Sequence, residues 1–289
     1  MKKEKLLIQG YPGSFHDVAC QAYFGDTDTE VIPCDSFSEL AQNLTNEEGS
    51  AYGIMAIENS IAGSILQNYR ILREHKFNII GEIYLRIEHC LMALPGQTIN
   101  DLTEVHSHPM AINQCRKYFS QYTSLKLVDM DDTALSAKLI RISDKKGIGA
   151  IASRRAAEIY QLEILQENIE DNKHNYTRFF VIHKQETEVS DYNKATIWIR
   201  LHHTKGSLST VLNKLVAHDI NLSSLQSYPV LGKFSEYFFH MDLEFETPDK
   251  YERGKKIITE LCLDYQELGR YKRADISAAL NKELTSVML

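Results

Sequence analysis

The sequence predicts an α/β protein in which a long region of strands alternating with helices precedes a smaller module of order βαββαβ. Three observations carry this. Short apolar runs recur through residues 1–184 with segments of helical period between them, the pattern of largely parallel sheets covered by helices. After Lys184 the texture changes: QETEVSDYNK is polar and charged, with Val189 its one large aliphatic, so residues 185–193 read as a linker. From residue 194 to 273, six segments switch between period 2 and period 3.6 in the order strand, helix, strand, strand, helix, strand.

Taken in order, KLLIQ is the first strand, GYPGSF (residues 10–15) a glycine-bearing turn, and HDVACQAYF the first helix. EVIPC is a strand, and Ser36 with Glu39 forms a capping box that opens the helix SFSELAQNL. The strand AYGIMAI leads into IENSIAGS, and SILQNYRILREH is helical. The stretch from residue 77 to 94 is strand-rich with no helix inside it, which predicts a crossing between two lobes before Pro95-Gly96 turns the chain. LTEVHS is a strand, Pro109 sits in the first turn of the helix MAINQCRKYFSQY, and LKLVDM, TALSAKLIRI, IGAIAS and RFFVIH continue the alternation. In the module, ATIWIRL, INLSSLQSYPV, EYFFHMDLEFE and YQELGRYKR are strands, and GSLSTVLNKLVAHD and KYERGKKIITELCLD are helices. That order is ferredoxin-like. Residues 274–289 read as a short helix or a frayed end.

Composition excludes several function classes. Hydrophobic residues at 43% and charged residues at 25% are globular proportions, and 289 residues suit one large and one small domain. A net charge of -7 argues against a nucleic-acid partner, which requires a basic face. Five scattered cysteines without a CxxC pair fit reduced thiols better than disulfides or a zinc site. MKKEK is followed only by LLIQ before Gly10, too short for a signal-peptide core, and no apolar run approaches membrane-spanning length. The expected setting is cytoplasmic.

Four strand ends carry small polar groups. IENSIAGS places Glu58, Asn59 and Ser60 after a strand, where open α/β sheets bind ligands, although a polar loop capping a helix accounts for the same residues. SHPMAINQC puts Ser107 and His108 at a second strand end, with Gln114 a turn and a half further on; a capped helix start again explains it. GYPGSF lacks the Walker lysine and the GxGxxG spacing, so it implies no nucleotide but leaves a carboxylate-binding turn open. HNYTRFFVIH sets Asn175, Thr177 and Arg178 at the mouth of a core strand, beside Phe179. Together these supply neutral donors and one cation, without a Ser–His–Asp order or a metal cluster. Such a pocket suits a small carboxylated substrate held by a planar guanidinium.

GYPGSF, IENSIAGS, SHPMAINQC, DDTALSAK, GAIAS and NYTRF, in this order, resemble the signature segments of the prephenate dehydratase family, and the βαββαβ module resembles the ACT regulatory domain that follows them there. The resemblance implies two α/β lobes similar to type 2 periplasmic binding proteins, with the active site in the cleft. It implies a carbon-oxygen lyase of L-phenylalanine biosynthesis that converts prephenate to phenylpyruvate with loss of water and carbon dioxide. No metal or other cofactor is expected, since aromatisation drives the reaction. Thr177 and Arg178 are the expected catalytic residues, with Arg178 on the pyruvyl carboxylate that survives; Asn59, Ser60, Ser107, Gln114 and Phe179 would contact substrate. A carboxylate at Glu58 fits a dianionic substrate less well.

The resemblance also implies a homodimer or homotetramer whose ACT domains bind L-phenylalanine as effector. Here the sequence departs from the family. Gly206-Ser207-Leu208 stands where GAL is typical, and Gln226-Ser227-Tyr228-Pro229 where ESRP is typical, so an acid and a base are lost together. Two other readings remain open: the same chemistry on arogenate, and a non-catalytic amino-acid sensor.

Overall fold

Side chains that accept the free N–H groups of a first turn open several helices, and alternating apolar residues bury the strands on one or both faces. The computed structural model describes residues 3–25, 27, 29–187, 189–230, 232–233 and 236–275. The chain runs β1 (Glu4–Gln9), α1 (Phe15–Phe24), β2 (Thr29–Cys34), α2 (Phe37–Asn46), β3 (Ala51–Asn59), β4 (Gly63–Ser64), α3 (Leu66–His75) and β5 (Asn78–Arg86). It continues as β6 (Cys90–Ala93), β7 (Glu104–Ser107), α4 (Pro109–Gln114), α5 (Arg116–Phe119), β8 (Lys126–Asp129), α6 (Thr133–Ser143), β9 (Ile148–Ala152), α7 (Arg154–Tyr160), β10 (Glu163–Gln166) and β11 (Tyr176–His183). The remainder is β12 (Lys194–Arg200), α8 (Ser207–Ala217), β13 (Asn221–Pro229), β14 (Tyr237–Glu244), α9 (Pro248–Leu261) and β15 (Asp264–Tyr271). The helix or frayed end expected at the C-terminus lies, from residue 276 on, outside the described residues. No helix among the described residues is long and apolar enough to cross a membrane.

The described residues group into two units. The first takes those of Met1–Asn68 and Ile83–Phe179, the second those of Tyr69–Glu82 and Phe180–Ala278, so α3, β5 and β11 each run from one unit into the other.

In the first unit, one sheet has the order β2-β1-β3-β11-β5, with β4 paired to β3. The other has the order β10-β6-β9-β7-β8. The strand-rich stretch therefore does carry the chain from one sheet to the other, between β5 and β6. The expectation of largely parallel sheets needs correction. β1 pairs parallel with β2 and β3, and β7 with β8 and β9, but β6 is antiparallel to both β9 and β10. The connection from β6 to β7 holds one 3-10 turn, Ile99–Asp101, and no α-helical crossover, so these consecutive strands run in opposite senses within the sheet.

The second sheet is buried on both faces. Cys90, Met92 and Leu94 pack with Ala134, Ala137 and Ile140 of α6 on one side, while Leu91 and Ala93 pack with Val105, Ile112 and Phe119 on the other. Period 2 makes this division, and it explains why CLMAL reads as one continuous apolar run. Ser36 accepts the Glu39 N–H at 3.1 Å, but the Glu39 carboxylate reaches back to the N–H of Asp35 and not to that of the cap. The box predicted there is displaced by one residue.

In the second unit, β12 to β15 form an antiparallel sheet of order β13-β14-β12-β15, which leaves β13 and β15 at its edges. Ala195, Ile197 and Ile199 point into a core closed by Val211 and Leu215 of α8 and by Tyr251 and Ile258 of α9. The alternate residues serve the opposite face. Lys194 is buried there with its Nζ 3.1 Å from both carboxylate oxygens of Glu82, and Thr196 donates to Asp242 at 2.7 Å.

Candidate active site

The first unit contains a cavity of about 260 Å³, near the small end of ligand sites. Its wall includes the starts of α1 and α6, and the end of β3 with the first residues of β11. Ser14 caps α1, and Asp132 caps α6 by accepting the Leu135 N–H at 2.8 Å. The positive ends of two helix dipoles thus border the cavity, and both favour an anion. Two carboxylates, Asp131 and Asp132, also border it, together with His16, His89 and His108. Burial pushes the Asp132 carboxyl up, against the backbone N–H groups that hold it down. Burial alone lowers the His16 imidazole to about 4, so that ring is neutral.

Glycines bring the turn before α1 close to α7 and to the cap of α6. Gly13 has φ +88°, and a Cβ there would lie 2.7 Å from the Cα of Ala156. The surrounding bonds fix the same joint. Asp17 accepts the Gly13 N–H at 2.7 Å and the Arg155 guanidinium at 2.6 Å, and Tyr160 donates to the Pro12 carbonyl at 2.8 Å. The GYPGSF turn therefore spends its polar groups on joining two parts of the unit, while Ser14 and Phe15 border the cavity.

Asn59, Gln114, Thr177 and Phe179 line the cavity, so residues from three separate motifs converge. The Asn59 amide nitrogen donates to the Thr177 hydroxyl at 2.9 Å and to the Asn175 side-chain oxygen at 2.8 Å. Its own oxygen accepts the backbone N–H groups of Ile61 and Ala62, which fixes which end of the amide faces Thr177. Thr177 accepts that bond with one lone pair, and no acceptor for its own proton is found among the described residues. Asn175 donates to the Gln114 side-chain oxygen at 3.0 Å, and the same oxygen lies 2.9 Å from Nε2 of His89.

Other expected residues are placed elsewhere. Ser60 is exposed, accepts the Tyr176 N–H and donates to the His174 carbonyl, both at 2.9 Å, and so clamps the start of β11. Ser107 is fully buried and donates to the Ile151 carbonyl at 2.6 Å. Neither borders the cavity. Arg178 requires the same correction. Successive β11 side chains alternate, so when Thr177 and Phe179 face the cavity Arg178 turns away, and its buried guanidinium lies 5.8 Å from the Tyr84 ring. Asn175, His89, His16 and Asp132 complete the site without having been assigned to it from sequence. Asn175 lay inside HNYTRFFVIH and Asp132 inside DDTALSAK, both quoted as motifs; no sequence signal distinguished His16 and His89.

In the second unit, Gly206 precedes α8 with φ +87° and open space where a Cβ would stand, so backbone conformation accounts for the glycine. Ser207 and Leu208 begin that helix, and Gln226, Ser227, Tyr228 and Pro229 lie on the edge strand β13. The Tyr228 ring packs 5.3 Å from His240 and 6.1 Å from Tyr69. None of these seven borders the unit's polar cavity, whose wall includes Asp219, Glu244, Lys250 and Arg273.

Comparison with known proteins adds to this geometry. The family profile for prephenate dehydratase matches residues 6–187. A bifunctional N-acyl-homoserine lactone acylase/prephenate dehydratase of Komagataeibacter europaeus is 34% identical over 249 residues, 84% of this chain and 87% of that protein. An arogenate dehydratase/prephenate dehydratase of Arabidopsis thaliana, described as chloroplastic, is 32% identical over 263 residues; the match spans 86% of this chain and 66% of that longer protein. The structure of a prephenate dehydratase in complex with L-phenylalanine from Arthrobacter aurescens superimposes with a TM-score of 0.82 over 98% of this chain and 99% of that one. Its 24% identity makes this a likeness of fold.

Proposed function

Because this chain belongs to the prephenate dehydratase family, we propose that its cavity binds prephenate and expels water and carbon dioxide together to give phenylpyruvate. The observation that carries the reading is the Thr177 hydroxyl, which borders the cavity and accepts one hydrogen bond, from Asn59, while its own proton is available to donate. In the reaction the ring carboxylate leaves as carbon dioxide and its bonding electrons enter the ring. The ring hydroxyl departs with its C–O electrons and collects a proton to leave as water. Thr177 donates a hydrogen bond to that oxygen, and the bond strengthens as charge develops. Thr177 keeps its own proton, and the departing hydroxide is neutralised by a proton taken up from the buffered solvent. The pyruvyl carboxylate, which survives, rests against the Gln114 amide and the N-terminal ends of α1 and α6.

A second reading, arogenate as substrate, is favoured by Asp131 and Asp132. Carboxylates at the cavity wall suit the ammonium of arogenate and not the keto group of prephenate. The test is one assay with both substrates side by side, following phenylpyruvate and phenylalanine. Turnover of neither would end the dehydratase reading in both forms and leave the sensor.

We assign residues 1–184 to catalysis and 194–273 to an ACT domain that binds L-phenylalanine between two copies of the chain. The antiparallel βαββαβ module, with the nine-residue strand β13 at an edge of its sheet, supports this, since a strand edge is readily covered across a two-fold axis. Five free cysteines, four of them buried, support a cytoplasmic setting. Titrating phenylalanine, tyrosine and tryptophan against turnover and calorimetric heat tests the regulation. Indifference to all three would reduce the module to assembly, and a monomeric mass in solution would remove that role as well.

A further inference from the structure

We propose that a hydrogen-bond network of fixed polarity, in which Asn59 donates to both Thr177 and Asn175 and Gln114 accepts from both Asn175 and His89, fixes the groups that meet the substrate as donors, with Asn175 and His89 as its positioning residues. The polarity of the network is set at Asn59. Asn59 must turn its oxygen to the N–H groups of Ile61 and Ala62, at 3.0 and 2.8 Å, because no amide nitrogen can accept them. Its nitrogen therefore faces Asn175 and Thr177. Asn175 is then obliged to present oxygen to Asn59 and nitrogen to Gln114, and Gln114 to present oxygen to Asn175. That oxygen also lies 2.9 Å from His89 Nε2, so the imidazole carries its proton on Nε2. The assignment follows from the network as a whole, since each reversed amide would set two donors or two acceptors against each other.

The opposite face of His89 agrees. The ring is buried, Nδ1 has no partner, and burial lowers the pKa, with the Gln114 bond opposing. A lone pair at Nδ1 leaves no buried N–H without an acceptor, as the other tautomer would.

Two groups are freed by this polarity. The Gln114 amide nitrogen, its oxygen doubly engaged, is left to donate into the cavity, and so is the Thr177 hydroxyl. An anionic substrate thus meets oriented donors at a wall that, among the described residues, includes no Lys or Arg. Asn175 and His89 act through Gln114.

The test is the nitrogen chemical shifts of His89 in 15N-histidine-labelled protein, assigned by their loss in His89→Asn. The unsubstituted protein should show the neutral tautomer protonated at Nε2. Asn175→Asp keeps the shape and still accepts from Asn59 but sets an oxygen against Gln114. Gln114 should turn over, its nitrogen should face His89, and the ring should move to the Nδ1-protonated tautomer. On the dehydratase reading, KM in that variant should rise at least about tenfold. kcat should change less, because Asn59 still holds Thr177. An Nδ1-protonated ring in the unsubstituted protein overturns the proposal, and so does an Asn175→Asp variant with unchanged tautomer and KM. The first measurement needs neither substrate nor the Asn175 variant. Lack of turnover on prephenate and arogenate would therefore defeat the functional reading and leave the network to be judged by the tautomer.

Discussion

Thr177 and Arg178 are neighbours in sequence, yet strand parity sends one to the cavity and the other to the ring of Tyr84. Removing the hydroxyl with Thr177→Ala should lower kcat by about 10²–10⁴-fold while KM and thermal stability barely change, the range expected of a lost acid-type contact in the transition state. Thr177→Ser should recover much of the loss; near-normal turnover in the alanine variant would remove the proposed role. Arg178→Lys should behave oppositely. A buried planar cation over an aromatic ring is not replaced by an ammonium, so the melting temperature should fall while KM holds. A raised KM at unchanged stability would return Arg178 to the substrate. Asn59, Gln114 and Thr177 were legible because each sits in a polar motif at an element end. Ser60 and Ser107 sit in the same motifs, but their hydroxyls are taken by backbone groups remote in sequence, and one-dimensional spacing does not register that.

At the scale of elements, the long periodic segments were readable and the short ones were not. Residues 110–122 read as one helix but form α4 and α5, broken at Cys115. The cause is remote: the Asp171 N–H donates to the Gln114 carbonyl at 2.7 Å, and the Asp171 carboxylate accepts the Lys117 N–H. The helix α7 and strand β10 gave no usable pattern, being seven and four residues long with Ala156 and Ala157 the buried positions of α7. That helix matters through the joint with the α1 start. Gly13→Ala should be severely destabilising, because a positive φ and a backbone atom 2.7 Å away leave the methyl no room. Gly25→Ala is the control: φ +68° with ψ −157° is backbone that glycine alone adopts freely, but nothing lies within 4 Å of the new Cβ, so about 1–3 kcal/mol of backbone strain is all it should cost. Equal stability loss in the two variants would mean that the close approach to Ala156 is unimportant.

Stability of the whole molecule should depend on pH through its buried histidines. Burial holds His16 at about 4 and His240 at about 3, and lowers His89, whereas an unfolded chain titrates its histidines near 6.5. Between pH 6.5 and 4 the unfolded state therefore binds protons that the folded state refuses. The stabilisation is complete above 6.5 and is lost as pH falls through that window. Paired carboxylates lose stability in acid as well, so a single difference measurement is needed to isolate the histidine share. His240 provides it. Its ring is wedged between Tyr69, 5.0 Å away, and Tyr228, with Arg73 opposing a charge and Asp242 favouring one, and neither ring nitrogen has a partner. His240→Phe keeps a planar ring and removes both nitrogens. It should stabilise the protein by about 1–3 kcal/mol at pH 8, where no proton is involved, since a buried unsatisfied polar group is relieved. The gain should widen on going to pH 5, because the variant's unfolded state has one fewer site that takes up a proton. Calorimetric melting temperatures of both proteins at several pH values between 8 and 4.5 decide the matter: parallel curves would show that His240 takes up its proton as readily in the folded state as in the unfolded one.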